Sequence, residues 1–370
     1  MDIILLSDFF YPKFQGGGPV KSIFLLYKYF SNLGYKVSII TSSSNLNKSN
    51  SIPFNSNFIY INLFQRIIFL LNLPINSVLW VNSFFSPFTI IICIFVFFGL
   101  IKNKIILSPR GEVSIGALKF GFFKKKIWLY IFKLLKLNRF FILHFTAVEE
   151  KLFYEYYFKS KINSFVLSNL IDKDIYNFNK ILRSDGPLKI VSIGRISAKK
   201  NLEFIFKVLN LVNCEVIFHL YGPNLNDNYF HMLMEDGKNL PPNISFSYLG
   251  SLEPVFVPST LISYDLYFSP SLNENFGHGI FEAMQVGVVP LISSNTPWCD
   301  INSIYPLSFS LADINSFVNT IENLSIMSHS EFSIISSEIR RKSFSFVKSQ
   351  NYDLYRDVIG SLLHINKNQF

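Results

Sequence analysis

Leu188-Lys-Ile-Val-Ser-Ile-Gly-Arg-Ile-Ser-Ala-Lys-Lys-Asn201 reads as a strand, a turn at Gly194 and a basic loop, and residues 202–210 continue it as a helix. Residues 188–193 read as a continuous apolar strand, of the kind buried on both faces of a parallel sheet. Downstream, strands are expected at 215–220, 245–249, 265–269 and 288–292, with helices between them. Upstream the same order occurs. A strand at 3–7 meets the loop Gly16-Gly-Gly-Pro19, then an apolar-rich helix to Leu33, a stop at Gly34 and a strand at 35–41. That is one βαβ unit, and short strands follow near 58–63, 78–82, 104–108 and 141–146. Residues 168–187, with polar side chains, Gly and Pro, separate the two series. Two strand–helix alternations in succession imply an α/β protein of two Rossmann-like, doubly wound domains facing a central cleft, at 1–170 and 185–349.

The chain has 370 residues, 49% of them apolar, enough for two cores and unlike a disordered protein. Its three cysteines, Cys93, Cys214 and Cys299, are widely spaced, so a reducing cytoplasm is the simpler expectation than a disulfide framework. Residues 1–8 lack a basic region and a cleavage site and read as a buried first strand, not a signal peptide. The apolar run 88–101 would span about 21 Å as a helix, short of the roughly 30 Å hydrocarbon core.

The formal net charge is +9, and residues 101–140 hold ten Lys or Arg against the single acid Glu112. Within it, 119–136 interleaves lysines with Phe, Trp, Tyr and Leu. That mixture points to an anionic membrane surface, with a solvated helix face as the alternative. It contains no recognised nucleic-acid motif, so nucleic acid is not expected as a partner.

Three loops can carry chemistry. At Gly16-Gly-Gly-Pro19, Gly17 and Gly18 allow close backbone approach to a ligand ahead of a helix N-terminus, though a tight structural turn reads equally well. The pattern is not G-x-G-x-x-G, and no ribose-binding acid follows the second strand, which argues against an NAD enzyme. In the second loop, Arg195 offers a rigid fork and Lys200 a mobile charge, a complementary pair for a diphosphate. Two solvated surface cations are the plainer reading. The third is Glu274-Asn-Phe-Gly-His-Gly-Ile-Phe-Glu282. Gly277 and Gly279 permit approach at a helix start. Glu274 precedes that helix and can point into a cleft. Glu282 stands among apolar neighbours and needs donors, which ribose hydroxyls or a basic side chain can supply. His278 lies in this loop and can touch phosphate, whereas His144 and His219 read as core residues.

This ordered set resembles the retaining glycosyltransferases of family 4, which have the GT-B fold, over nearly the whole chain. The resemblance implies that Arg195 and Lys200 hold the diphosphate of a nucleotide-sugar donor. It places Glu274 beside the transferred sugar, Glu282 on the ribose, and the backbone of Phe276 and Gly277 on sugar or phosphate. Gly222 and Leu249 match positions bordering the nucleotide. It also implies a last helix, near 350–370, that packs back on the first domain. Many relatives carry a His after a first-domain strand; here Leu107-Ser-Pro-Arg-Gly-Glu112 stands there, similar to a subgroup of polysaccharide-assembly enzymes. Arg110 and Glu112 are therefore the acceptor-side catalytic candidates. The expected partners are a nucleotide-sugar and a glycan or lipid-linked acceptor, at the inner face of the cytoplasmic membrane. No cofactor or metal is expected, and Asp172-Lys-Asp174 reads as a solvated loop. A sugar-nucleotide epimerase and a non-catalytic membrane-associated scaffold are the rival functions.

Overall fold

The computed structural model describes residues 2–11, 18–45, 57–74, 76–113, 122–159, 162–172, 174–178, 183, 185–224, 226–350 and 352–364. It divides into two compact units, 1–171 with 351–370, and 172–350.

The first unit is built on a seven-stranded sheet. In chain order the strands are β1 (Asp2–Ser7), β2 (Lys36–Ser42), β3 (Phe58–Ile61), β4 (Val78–Asn82), β5 (Lys104–Ser108), β6 (Ile142–Phe145) and β7 (Ser164–Val166). Their spatial order is β3-β2-β1-β4-β5-β6-β7, and every pair is parallel. Successive strand residues point to opposite faces. Ile4, Leu6, Ile105 and Leu107 therefore enter one core, and Ile3, Leu5 and Ile106 the other. The first core is roofed by α2 (Leu63–Leu71), α3 (Pro87–Phe97), α4 (Phe122–Leu134) and α5 (Val148–Phe158), through Leu70, Ile92, Leu129 and Tyr154 among others. The second is roofed by α1 (Gly18–Asn32) and by the last helix of the chain, Asp353–His364, whose Tyr355 and Ile359 join that core. Tyr355 stacks on Trp80 at 6.2 Å and donates its hydroxyl to Ser168 O at 2.6 Å.

The second unit repeats the plan. Its strands are β8 (Leu188–Ile193), β9 (Val216–Tyr221), β10 (Ile244–Tyr248), β11 (Leu266–Ser269), β12 (Val289–Ser293) and β13 (Ser308–Phe309), in the spatial order β10-β9-β8-β11-β12-β13. Again all pairs are parallel. Its helices are α6 (Glu203–Leu209), α7 (Asp227–Lys238), α8 (Val257–Leu261), α9 (His278–Val286), α10 (Ile314–Ile326) and α11 (His329–Ser349); the last helix of the chain is α12. Gly287, with φ +84°, ends α9 in the left-handed conformation that glycine adopts without steric cost. Both sheets are doubly wound. β7 and β13, three and two residues long, are the strands the sequence pattern does not announce. Edge strands so short carry no period to read.

Candidate active site

In an open parallel sheet, ligands sit beyond the carboxyl ends of the strands where the strand order reverses. In the second unit that point lies between β8 and β11. The loops leaving these two strands are stitched to each other. Leu272 N donates to Lys199 O at 2.9 Å, and Asn201 Nδ2 donates to Pro270 O at 3.1 Å. This brings Lys200 Nζ within 2.6 Å of Glu274 Oε1, which also accepts from Ser271 Oγ at 3.0 Å. Burial alone would raise the Glu274 carboxyl. The charges of Lys200 and Lys199, with the hydrogen bonds from Lys200 and Ser271, outweigh it and hold the group below the usual carboxylate range. Glu274 is therefore an anion at neutral pH, beside a lysine that shares its charge.

A recess opens here, lined by Ile193, Gly194, Arg195, Lys200, Tyr267 and Ser269, among others. Tyr267 is its floor and a residue the sequence pattern gave no reason to single out. The phenol donates to Ile193 O at 2.9 Å, and burial pushes it well above the usual tyrosine range. The charges of Glu274 and Glu282 also act on it, so both acids of the motif lie near the same ring. Gly279 makes the arrangement possible, since a Cβ there would lie 2.2 Å from the Tyr267 hydroxyl. Glu282 is 9% exposed on α9, between Phe281 and Ala283, which are buried.

The glycine loops have separate structural reasons. Gly222 has φ +153°, and a Cβ on it would fall 1.7 Å from Gly194 O. Gly194 N donates to Tyr221 O at 3.0 Å and Gly222 N to Gly250 O at 2.8 Å, so the ends of β8, β9 and β10 form one continuous rim. Leu249 lies on that rim, exposed, its N–H on Leu220 O at 2.9 Å. Gly277 caps α9 with φ +74° and, having no side chain, makes no side-chain cap to the first turn of the helix. The loop ahead of it is held from beneath by aromatics. Trp298 donates its indole N–H to Phe276 O, stacks on Phe281 at 4.9 Å and meets Phe346 of α11 at 4.9 Å. Flanking Glu274, Asn273 Oδ1 and Asn275 Nδ2 are buried without a hydrogen-bond partner, atoms for which ligand hydroxyls are a fitting complement.

The other candidates lie in the first unit. Gly16 and Gly17 fall outside the described residues; Gly18 begins α1, and its carbonyl accepts from Ser22 Oγ at 3.1 Å. Arg110 and Glu112 sit at the end of β5, in a turn where Arg110 (φ 53°) and Gly111 (φ 80°) are left-handed. Arg110 bonds Asn82 Oδ1 through Nε at 3.1 Å and Nη2 at 2.8 Å, and Asn169 Oδ1 through Nη1. Glu112 accepts from Ser83 Oγ at 2.8 Å, Phe84 N at 2.7 Å and Phe85 N at 3.2 Å. Burial raises its carboxyl despite these donors. Glu112 thus clamps the loop after β4, where Ser83 takes φ 116°, a strained backbone for a residue with a Cβ, and Arg110 ties the last residue of β4 to Asn169. Beneath them Trp80 Nε1 donates to Ser108 Oγ at 2.7 Å, Ser108 faces His144 Nδ1 at 2.8 Å, and His144 Nε2 faces Leu167 O at 3.0 Å. Since a carbonyl only accepts, Nε2 carries the proton and Nδ1 accepts from Ser108. Burial, with the Arg110 charge, pushes His144 down to about 3. In the second unit, Asp172 O accepts from Gln285 Nε2 at 2.8 Å.

Residues 174–322 match the family model described as Glycosyl transferases group 1. That match falls within the second unit, and the two doubly wound parallel sheets have the architecture of GT-B glycosyltransferase structures. Among solved structures it is similar to Anabaena HepE in complex with UDP and glucose (TM-score 0.76, 14% identity, 97% of this chain and 100% of that one). It is also similar to sucrose-phosphate synthase of Thermosynechococcus elongatus (0.73, 14%, 98% and 100%). A third is an α,α-trehalose-phosphate synthase of Burkholderia xenovorans in complex with glucose-6-phosphate (0.71, 11%, 98% and 100%). No curated protein sequence matches the chain.

Proposed function

We propose that the protein transfers a sugar from a nucleoside-diphosphate sugar to a glycan or lipid-linked acceptor in bacterial surface polysaccharide synthesis, with retention of configuration. The observation that carries the donor half is the Lys200–Glu274 contact of 2.6 Å at the β8/β11 reversal. It lies in a loop system that also presents Arg195 and leads into the N-terminus of α9, which has no side-chain cap. A diphosphate there meets two cations and helix N–H groups, the charges needed as the leaving group gains its own. Glu274 stands beside the transferred sugar and competes with the phosphate for Lys200. Glu282 takes the ribose, Phe276 and Gly277 offer backbone groups, and Gly222 and Leu249 border the nucleotide. The similar HepE structure holds UDP and glucose, which makes UDP the first nucleotide to test.

The first unit takes the acceptor, and Gly17 and Gly18 of the Gly16-Gly-Gly-Pro19 segment approach the nucleotide-sugar. In that unit Glu112 acts by fixing the turn after β4 and Arg110 by tying the end of β4 to Asn169. No metal is required in this scheme, because Arg195 and Lys200 meet the diphosphate charge. The segment 119–136 contacts the anionic inner face of the cytoplasmic membrane. Calorimetric titration with UDP and a panel of UDP-sugars tests the donor half. Donor binding that persists unchanged in Lys200→Ala would remove this cleft from the reaction. Turnover of the donor without any acceptor would turn the assignment to an epimerase.

A further inference from the structure

The helix layer over the first core of the first unit is inverted on its outer surface. A surface helix ordinarily turns its apolar stripe to the core and its polar side to water. α2 buries Arg66 and Leu70 and turns Phe64, Ile68 and Leu71 outward, with Phe64 70% exposed. α3 has no charged residue at all. Ile92 and Val96 face the sheet, while Ile94, Phe97 and, just past its end, Phe98 at 70% face outward. α4 buries Leu129 and Phe132 and leaves Phe123, at 77%, with Tyr130 and Leu134 exposed. α2 adjoins α3, and α4 adjoins the loop ahead of α3. α2 packs against α3, Phe84 ahead of α3 meets Phe132 at 4.8 Å, and Trp128 donates to Phe84 O at 3.2 Å. The exposed side chains are thus one face, and contiguous apolar faces of this kind mark interaction surfaces.

Charge selects the occupant. Lys124, Lys126 and Lys133 stand exposed on α4 among its aromatics, with Lys136 and Arg139 just beyond. Neither α2 nor α3 carries an acid. An apolar ridge flanked by lysines and aromatic rings is the pattern of helices lying in a bilayer interface, where each lysine near an anionic surface adds attraction. Among the described residues no helix is long and apolar enough to cross a membrane.

We infer that the α2–α3–α4 face lies flat in the interface of an anionic bilayer, with α2 and the end of α3 inserted and α4 supplying the headgroup contacts. The inference rests on the membrane reading of 119–136 and moves its apolar anchor to helices outside that segment.

The test is flotation of the full chain with phosphatidylglycerol–phosphatidylcholine vesicles and with phosphatidylcholine alone, using calorimetric UDP binding as the check of an intact second unit. The parent is expected to float with the anionic vesicles only. Phe64→Ser, Ile68→Ser and Phe98→Ser together should lower the bound fraction at least tenfold. Lys124→Gln with Lys126→Gln should lower it several-fold, an effect that high salt reproduces in the parent. Phe98→Trp, which keeps the surface apolar, should add a blue-shifted emission quenched by brominated lipid. A triple serine variant that floats like the parent overturns the inference, as does an added emission in the Phe98→Trp variant that is indifferent to vesicles. A parent that stays off vesicles as a stable dimer, made monomeric by the serine substitutions, assigns the face to a second copy instead. A parent that floats without binding UDP would count against the donor assignment alone; a parent that binds UDP and does not float would count against the membrane face alone.

Discussion

The strand order reverses beside the first strand of each unit, between β1 and β4 in one and between β8 and β11 in the other, but the two crevices are filled differently. In the second unit the loops present an ion pair with a quarter of the lysine side chain exposed, over a tyrosine floor, at a helix start without a side-chain cap. In the first unit the corresponding charges are closed off. Arg66 holds Asp8 at 2.5 Å with both side chains largely buried, and the Arg66 guanidinium lies 4.2 Å over the Phe88 ring. Burial raises the Asp8 carboxyl in spite of that partner, whereas Glu274 is lowered by its lysines. One topology therefore supports a site open to a charged ligand and a site whose charges are spent on holding loops. The difference comes from the loops, since both sheets supply the same frame.

The comparison breaks most easily at the open site. Lys200→Ala and Glu274→Ala are each expected to lower the transfer rate by roughly 100- to 1,000-fold or more while the melting profile keeps both units folded. A double-mutant cycle should show strong coupling, because either change leaves the other charge alone. Full activity in both variants would sink the assignment.

Next in size is the rim. Gly222→Ala would drive a Cβ into Gly194 O and is expected to destabilise the second unit by about 2–4 kcal/mol, read by denaturant melts. Gly279→Ala should cost less, about 1–3 kcal/mol, because Tyr267 is a side chain and can shift.

Acid separates the units. His144 is pushed down to about 3 from an ordinary 6.5, so its contribution is complete above 6.5 and declines as pH falls toward 3. The stability difference between the parent and His144→Gln should shrink by about 1.4 kcal/mol per pH unit across that window, read by denaturant melts followed by tryptophan fluorescence. Glu274 is lowered from 4.5, so its contribution is complete above 4.5 and is lost only as pH falls through its lower folded value. At pH 5 the parent should keep its full advantage over Glu274→Gln and have lost part of its advantage over His144→Gln.

Glu112→Gln sharpens the contrast further. It should loosen the turn at residues 83–85 and slow transfer about tenfold while leaving the donor affinity of the second unit unchanged. Equal losses in both would mean the first unit contributes to donor binding. The smallest expected effect is that of a chelator, with transfer unchanged in EDTA; a loss restored by Mg²⁺ would require an acidic site in place of the cationic one.

Much of the frame was legible because a buried parallel strand announces itself. Residues 78–82, 104–108 and 188–193 are strands over the limits expected from their apolar-rich sequence. The basic loop and the two acids of the last motif could also be read off, as residue types. Their meeting could not. Lys200 and Glu274 are 74 residues apart, and only the β8–β11 pairing, with the bonds from Leu272 and Asn201, brings them to 2.6 Å. Tyr267 was invisible for the same reason, because a tyrosine inside a strand looks like core until Gly279 is seen to pass over its hydroxyl. Arg110 and Glu112 were legible as polar residues after a strand, but their partners Asn82, Asn169 and Ser83 come from other strand ends. The sequence by itself determined the periodicity, and through it two doubly wound sheets, since that information is local. Which charges became an open pair and which became loop clamps was decided by the tertiary structure, because burial and non-local partners set the state of an ionisable group.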